Sequence, residues 1–344
     1  MTDKNIKKAD IIAVAKAARV SPSTVSRSFN HPELVKANTR KKIDAAVRRL
    51  GYIRNRAAQT IHGIRSGTIG LIVPTIDHAI FAELVQSFSD AVEDLGFTIL
   101  LASHGYSLDR EYALTRKMLE HRVDGMALIG IEHSEDTYGL LDQQSMPSVL
   151  LWNYSDEAPF TCVGSDNFEA GKLIGTHVAG LGHRDIATLF PPLAGNDRAQ
   201  LRFDGVRHAL NAHGVRIRDD WIFETPYSVA EAKMAVETLI KADKQPTAVI
   251  CGNDVLAWGA IYGLMKNGLS VPDDLTVTGI GDFKGSKEFE PGLTTVRIPA
   301  RQIGAQGAKR IVEAIVSDAP VSFGDRIAPE LIVRATSAIR DIEH

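Results

Sequence analysis

Ile11-Ile-Ala-Val-Ala-Lys-Ala-Ala-Arg-Val-Ser-Pro-Ser-Thr-Val-Ser-Arg-Ser-Phe-Asn30 reads as a helix, a tight turn and a second helix. Ile11, Val14, Ala15 and Ala18 recur at helical spacing and predict a first helix over about Lys8–Ala18. Arg19-Val20 makes the turn. Ser21 is placed as an N-cap, its hydroxyl accepting from an exposed N–H of the next turn. Pro22 suits the first helical position, where a missing N–H costs nothing. The second helix, Pro22–Phe29, carries Ser23, Thr24, Ser26 and Arg27, turns Val25 inward and has Asn30 as its expected C-terminal cap. A third helix over about Thr39–Leu50 sets Ile43, Ala46, Val47 and Leu50 on one face and ends at Gly51. Arg40, Lys41, Lys42, Arg48 and Arg49 cover its remainder.

Three short helices of this kind can bury one small core and leave the second free to enter a major groove. Its short polar side chains can approach base edges, while Arg27 and the lysines can meet phosphates. The surrounding charge agrees. Residues 1–65 hold 15 Lys and Arg against four acids, a surplus of 11, whereas the other 279 residues have 24 basic and 38 acidic side chains. A cationic patch on an otherwise anionic chain is the footprint of a polyanion partner. A basic three-helix domain that docks on another protein is the competing reading.

The length of 344 residues implies two or three domains. No apolar run reaches the roughly 18–20 residues of a membrane span, and the N-terminus lacks a signal-peptide core. Cys162 and Cys251 are the only cysteines and have no metal-ligand spacing. With no export signal, a cytoplasmic location is expected. No cofactor and no metal site are expected.

From Thr68 the pattern alternates strand and helix. Strand runs are Thr68–Val73, Thr98–Ala102, Gly125–Ile129, Ser148–Trp152, Asp185–Phe190, Ala248–Gly252 and Thr276–Ile280. Between them lie helical runs over Phe81–Leu95, Leu108–His121, Phe168–Leu181, Ala199–Ala212, Val229–Ala242 and Val255–Asn267. Such repetition predicts parallel sheets with helices on both faces, and its restart after Asp166 predicts two lobes with a cleft between them. Ligands of open parallel sheets sit outside the carboxyl ends of the strands. Polar and aromatic residues collect at those ends: Asp77-His78 and Phe81, Trp152-Asn153, Asp197-Arg198 and Arg202, Tyr227-Ser228, Asn253-Asp254, and Gly281-Asp282.

The run Ala13–Asn30, with Val-Ser-x-x-Thr-Val-Ser-Arg inside it, followed by Leu50-Gly-Tyr-Ile-Arg-Asn55, resembles the lactose-repressor (LacI/GalR) family of regulators, and the likeness extends through nearly the whole chain. It implies an all-α helix-turn-helix DNA-binding domain joined to an α/β, two-lobed, periplasmic-binding-protein-like body. The domains implied are a DNA-binding domain over 1–54, a hinge helix and linker over 55–66, and an effector-binding and dimerisation domain over 67–344. Lobe 1 then spans about 67–165 and 297–325, and lobe 2 about 166–296 and 326–344. The DNA-contacting set implied is Ser21, Pro22, Ser23, Thr24, Ser26, Arg27 and Asn30, continued in the hinge by Asn55, Arg56, Ala58, Gln59 and Ile61. Ile61 occupies the position of a leucine that wedges into the minor groove at the operator centre; its plainer reading is a linker residue packed on the body. The strand ends become an effector pocket of His78, Phe81, Trp152, Arg198, Arg202, Tyr227, Asn253 and Asp282, in which Arg202 matches the ligand-binding arginine.

Three departures from the pattern stand out. Arg19 replaces the turn glycine, Pro22 removes a donor at a base-reading position, and Gly281 replaces an aspartate found in many relatives. The stretches Asn30-His-Pro-Glu-Leu, His104-Gly-Tyr and Gly164-Ser-Asp-Asn-Phe-Glu-Ala170 are similar to gluconate-type repressors. The family likeness implies a sugar or sugar-acid effector and control of a carbohydrate or sugar-acid catabolic operon, and a carboxylate lost at Gly281 with Arg202 kept would suit the sugar acid. The likeness further implies a palindromic operator, a homodimer lacking the C-terminal heptad helix of tetrameric relatives, and repression relieved by ligand, with corepression as the alternative.

Rival classes fit less well. Gly279-Ile-Gly281 is not followed by the third glycine of a dinucleotide fingerprint, Gly171-Lys172 lacks the rest of a phosphate loop, and neither His-Glu-x-x-His nor Gly-x-Ser-x-Gly occurs. An enzyme is therefore not expected. A solute-binding protein would share the two-lobed body but not the cationic helix-turn-helix.

Overall fold

The computed structural model describes residues 9–54, 65–77, 79–317 and 324–340. The chain divides into two compact units, Met1–Ser66 and Gly67–His344.

In the amino-terminal unit, α1 (Ile11–Ala18), α2 (Pro22–Asn30) and α3 (Ala37–Leu50) surround a core of Val14, Ala15, Ala18, Val25, Ile43 and Ala46. Helix α1 starts three residues later than its expected Lys8, because the Asp10 carboxylate caps it by accepting from the Ala13 N–H at 2.8 Å. Helix α3 starts two residues earlier than expected; its first turn is solvent-facing and leaves no apolar signature. Leu50, expected inward, is 36% exposed at the frayed end of that helix. Asn30 is the last residue of α2 rather than its cap, a place taken by His31. Arg19 adopts φ 56°, the left-handed conformation that its turn requires even without glycine. A non-glycine residue there costs roughly 1–2 kcal/mol, offset in part by backbone hydrogen bonds that close α1 on Ala15 and Lys16.

The body is built from two six-stranded sheets. The first contains β1 (Thr68–Val73), β2 (Thr98–Ser103), β3 (Gly125–Ile129), β4 (Ser148–Asn153), β5 (Thr161–Ser165) and β11 (Asp325–Arg326), in the order β11-β5-β4-β3-β1-β2. The second contains β6 (Ile186–Phe190), β7 (Ile222–Glu224), β8 (Ala248–Cys251), β9 (Thr276–Gly281), β10 (Thr294–Arg297) and β12 (Glu330–Ile332), in the order β12-β10-β9-β8-β6-β7. All pairings are parallel except β10 with β12. The inner strands are buried along nearly their whole length, as a sheet covered on both faces requires. Helices α4 (Ala79–Asp94), α5 (Leu108–Glu120), α6 (Glu135–Gln143) and α11 (Ala300–Ser317) belong to the first sheet. Helices α7 (Asn167–Gly180), α8 (Asp197–Ala212), α9 (Val229–Leu239) and α10 (Asp254–Lys266) belong to the second. The sequence pattern predicts neither α6, whose apolar stripe is short, nor β5, which contains Thr, Cys and Gly in place of an apolar run.

The two sheets repeat one winding, β2-β1-β3-β4-β5 and β7-β6-β8-β9-β10. In each, the chain reverses direction beside the first strand, and that switch point opens a crevice at the carboxyl ends. Two glycines bring the arginine-bearing helix into place. An added Cβ at Gly171 of α7 would overlap the Arg202 carbonyl, and one at Gly205 of α8 would overlap that of Phe168. Their absence lets α7 and α8 touch backbone to backbone. The chain passes between the sheets after β5, after β10 and after β11, and the Ser165 hydroxyl ties two of these crossings by donating to Ile327 O at 2.7 Å.

Candidate functional site

Two sites were expected, one in each unit. On the amino-terminal unit, Ser21, Pro22, Ser23 and Arg27 are exposed, and Thr24, Ser26 and Asn30 are half-buried. Val25 and Ser28 face inward. The polar residues thus share the outer face of α2, with the Ser21 hydroxyl accepting from the Thr24 N–H at 3.2 Å and lying 2.8 Å from the Ser23 hydroxyl. Asn30 is tied back: its amide donates to Ser26 at 3.4 Å and its carbonyl accepts from Arg54, whose guanidinium lies 5.7 Å from the Phe29 ring centre. Lys16, Arg40, Lys41, Lys42, Arg48 and Arg49 are all exposed. Asn55, Arg56, Ala58, Gln59 and Ile61 lie outside the described residues, as does His78 of the expected pocket.

In the body, Arg202 is 1% exposed. Its Nε donates to Asn167 Oδ1 at 2.7 Å and its Nη1 to Gly252 O at 3.1 Å, while Nη2 has no partner. Burial, with the nearby Arg198 charge adding to it, pushes its pKa down to about 10. Trp152 closes β4 at φ 84°, a backbone state that side chains rarely adopt, and packs edge-on against Phe81 with ring centres 5.6 Å apart. That kink is possible because Gly164 on the neighbouring strand leaves room for the Trp152 carbonyl carbon. The Trp152 indole N–H is buried without an acceptor. A cavity of about 300 Å³ lies along Trp152, Gly281, Asp282, Phe283, Arg297 and the crossing at Ile298–Gln302. Gly281 is required here, since an added Cβ would overlap the Phe283 ring.

The acids of this cleft are already engaged. Both Asp282 oxygens bond to guanidinium groups, Oδ2 to Arg297 at 2.8 Å and Oδ1 to Arg334 at 2.6 Å. Asp254, fully buried, accepts from Thr295, Ser286 and the Phe283 N–H. Asp197 pairs with Arg198 at 2.9 Å. Asn253 caps α10 by accepting from the Leu256 N–H. Among the described residues, buried donors without a partner here include Arg202 Nη2 and Trp152 Nε1, with Trp258 Nε1 behind Phe283. Tyr227 sits toward the other end, its ring stacked 6.3 Å from Tyr106 of the first lobe, and the two line a second cavity of about 340 Å³ with Pro191, Pro192 and Pro226.

The sequence pattern gathers Asn153 and Asp197 among the polar residues at strand ends without a role in the pocket, and gives Tyr106 and Asn167 no place in it. All four form the junction between the lobes. Asn167 donates to Asn153 at 2.6 Å, Asn153 donates to Asp197 at 2.6 Å, and Asp197 also accepts from the Ile131 N–H at 2.8 Å. Each follows a strand or opens a helix, the one signal that could have found it. Among the described residues no helix is long and apolar enough to cross a membrane, and no cluster of His, Cys, Asp or Glu could hold a metal ion.

Residues 10–55 match the family model for bacterial regulatory proteins of the lacI family, and residues 176–337 match that for a periplasmic binding protein-like domain. The chain is 30% identical over 329 residues to the HTH-type transcriptional repressor PurR of Photorhabdus laumondii subsp. laumondii, spanning 95% of this chain and 96% of that one. The Lac repressor dimer bound to operator and the anti-inducer ONPF superposes with a TM-score of 0.85 at 26% identity, over 96% of this chain and 100% of that one. A complex of the transcriptional regulator CelR with cellobiose superposes with a TM-score of 0.71 at 25% identity, over 96% and 100%.

Proposed function

The chain belongs to the LacI family of bacterial regulatory proteins and is a DNA-binding transcriptional regulator; from that premise we propose that it represses a sugar-acid catabolic operon from the cytoplasm and releases its operator when an aldonate enters the interlobe cleft. It acts as a homodimer on a near-palindromic operator and catalyses no reaction. The observation that carries the effector class is two buried donors without acceptors, Arg202 Nη2 and Trp152 Nε1, the latter on the wall of the cavity whose Asp282 is already held by Arg297 and Arg334. A buried donor without an acceptor costs about 1–3 kcal/mol, which a ligand carboxylate recovers. A planar guanidinium suits that group better than a lone hydroxyl. Phe81, Trp152 and Tyr227 offer faces to the apolar side of a sugar chain, and Arg198, Asn253 and Asp282 complete the pocket with His78.

At the operator, Ser21, Pro22, Ser23, Thr24, Ser26, Arg27 and Asn30 meet the major groove. Asn55, Arg56, Ala58, Gln59 and Ile61 meet its centre, where insertion of Ile61 opens a base step.

Calorimetric titration of the full chain with D-gluconate, D-glucose and D-ribose tests the effector class. Gluconate is expected to bind and both neutral sugars to fail, and Arg202→Ala is expected to cost about 2–5 kcal/mol of gluconate affinity while leaving DNA binding intact. A preference for either neutral sugar overturns the sugar-acid assignment. Gluconate that tightens operator binding, seen by gel shift, makes the ligand a corepressor.

A further inference from the structure

Under the junction between the lobes lies a buried titratable cluster. Glu111 of α5 is 1% exposed. Its Oε1 is 2.7 Å from His133 Nδ1, and its Oε2 is 3.6 Å from His104 Nε2. His133 Nε2 lies 3.2 Å from the Gly130 carbonyl. A carbonyl only accepts, so this nitrogen carries a hydrogen, and Nδ1 shares another with the carboxylate. His104 differs: it is 5% exposed, its ring makes no close side-chain hydrogen bond, and only the Ser107 backbone is near enough to favour its charged form. It is the member of the cluster left able to take up a proton.

The second lobe meets the first beside this cluster, with Arg198 near enough to act on His104. His104 follows β2, and Gly130 follows β3, both at carboxyl ends. Gly130 lies directly beneath Arg198; a Cβ added there would come within 2.5 Å of Arg198 Nη1. Beside it, the Asp197 carboxylate clasps the first lobe through the Ile131 N–H and Asn153. Asn153 connects through Asn167 to Arg202. The arginine proposed to read the effector and the clasp beside the His104 cluster thus belong to one hydrogen-bonded chain.

We propose that lobe closure is coupled to proton release from His104: lifting the Asp197–Arg198 clasp admits water to the ring and lets it charge, so acid favours the open cleft. The consequence for effector affinity rests on the cleft being the effector site; the coupling itself does not.

The groups acting on His104 are Glu111 of α5, Arg198 of α8, the Ser107 backbone and His133 beyond β3, with Tyr106 of its own turn beside it; Arg110 borders Gly105, and Asp197 and Glu132 meet across the lobe junction. Burial holds the ring below the ordinary imidazole range. Glu111 opposes this, and Arg198 and His133 reinforce it. The sign follows from linkage. Above the ordinary imidazole value both forms are neutral and closure is unopposed. As pH falls through it, the open form gains a proton that the closed form refuses, and closure weakens by up to about tenfold per pH unit.

An NMR titration of the imidazole carbons of the ligand-free full chain, with His104 assigned by His104→Asn, tests this without any effector. In the wild type the ring is expected to titrate below 6.5. Asp197→Asn separates two causes by sign: losing a nearby acid lowers an imidazole pKa, whereas releasing the clasp raises it toward 6.5. Asn153→Ala weakens the clasp with no charge change and is expected to raise it too. A wild-type ring that titrates at 6.5 or above, or one that falls or stays put in both variants, overturns the proposal. Gluconate binding that fails while these shifts appear rejects the effector class and leaves the coupling standing.

Discussion

The two units of this chain handle positive charge in opposite ways. The amino-terminal unit leaves its cations in water: Arg27 on α2 and Arg40, Lys41, Lys42, Arg48 and Arg49 on α3 are exposed around a small core, six buried apolar side chains among the described residues. The body instead buries guanidinium groups, with Arg202 at 1% and Arg198 at 7% exposure. An exposed lysine or arginine costs little to fold and can exchange its counterions for phosphates. A buried guanidinium has lost its hydration, so its hydrogen bonds must come from fixed partners, and any donor left over is aimed at one place. The first arrangement suits a long polyanion approached in many registers. The second suits one small anionic group held in one orientation.

Raising salt from 50 to 200 mM probes that contrast most strongly. Operator affinity, followed by fluorescence anisotropy on a palindromic duplex, is expected to fall about a thousandfold or more. Gluconate affinity measured by calorimetry is expected to change less than about tenfold, since buried charges are weakly screened. Similar losses in both would erase the distinction. Next in size is Ile43→Ala, which empties the centre of the small core and should cost about 2–5 kcal/mol. Calorimetric scanning should show the amino-terminal transition lost or strongly lowered, with the body's transition unmoved. If the two shift together, the units do not fold independently. The smallest effect is expected from Arg19→Gly, which relieves the left-handed turn and should stabilise the amino-terminal unit by about 0.5–1 kcal/mol. A neutral or negative result, read from chemical denaturation, would mean that the Arg19 side chain compensates its backbone strain.

Legibility in the sequence also differs between the units. The helix-turn-helix is local: Ser21, Pro22 and Gly51 act on backbone groups within one turn of themselves, so their types reveal their roles. The long apolar runs of β1, β3, β4 and β6 were equally readable, because a strand covered on both faces needs little else. Helix α6 and strand β5 were not, since both owe their form to neighbours in the first sheet. Within the cleft, Arg202 and Trp152 stood out by type and position, but their unpartnered donors did not. Asp282 was legible as a pocket residue, but not that Arg297 and Arg334, 15 and 52 residues away, occupy both of its oxygens.

The order of apolar and capping residues was enough to determine a basic three-helix reader, a doubly wound body and the strand ends where its chemistry gathers, because hydrogen bonds and periodicity act over a few residues. Which carboxylates are spent, which donors are orphaned, and that His104, Glu111 and His133 meet beneath Arg198 were decided by folding alone. Desolvation and partner choice depend on what surrounds an atom in three dimensions, and here those surroundings come from segments up to about a hundred residues apart in the chain.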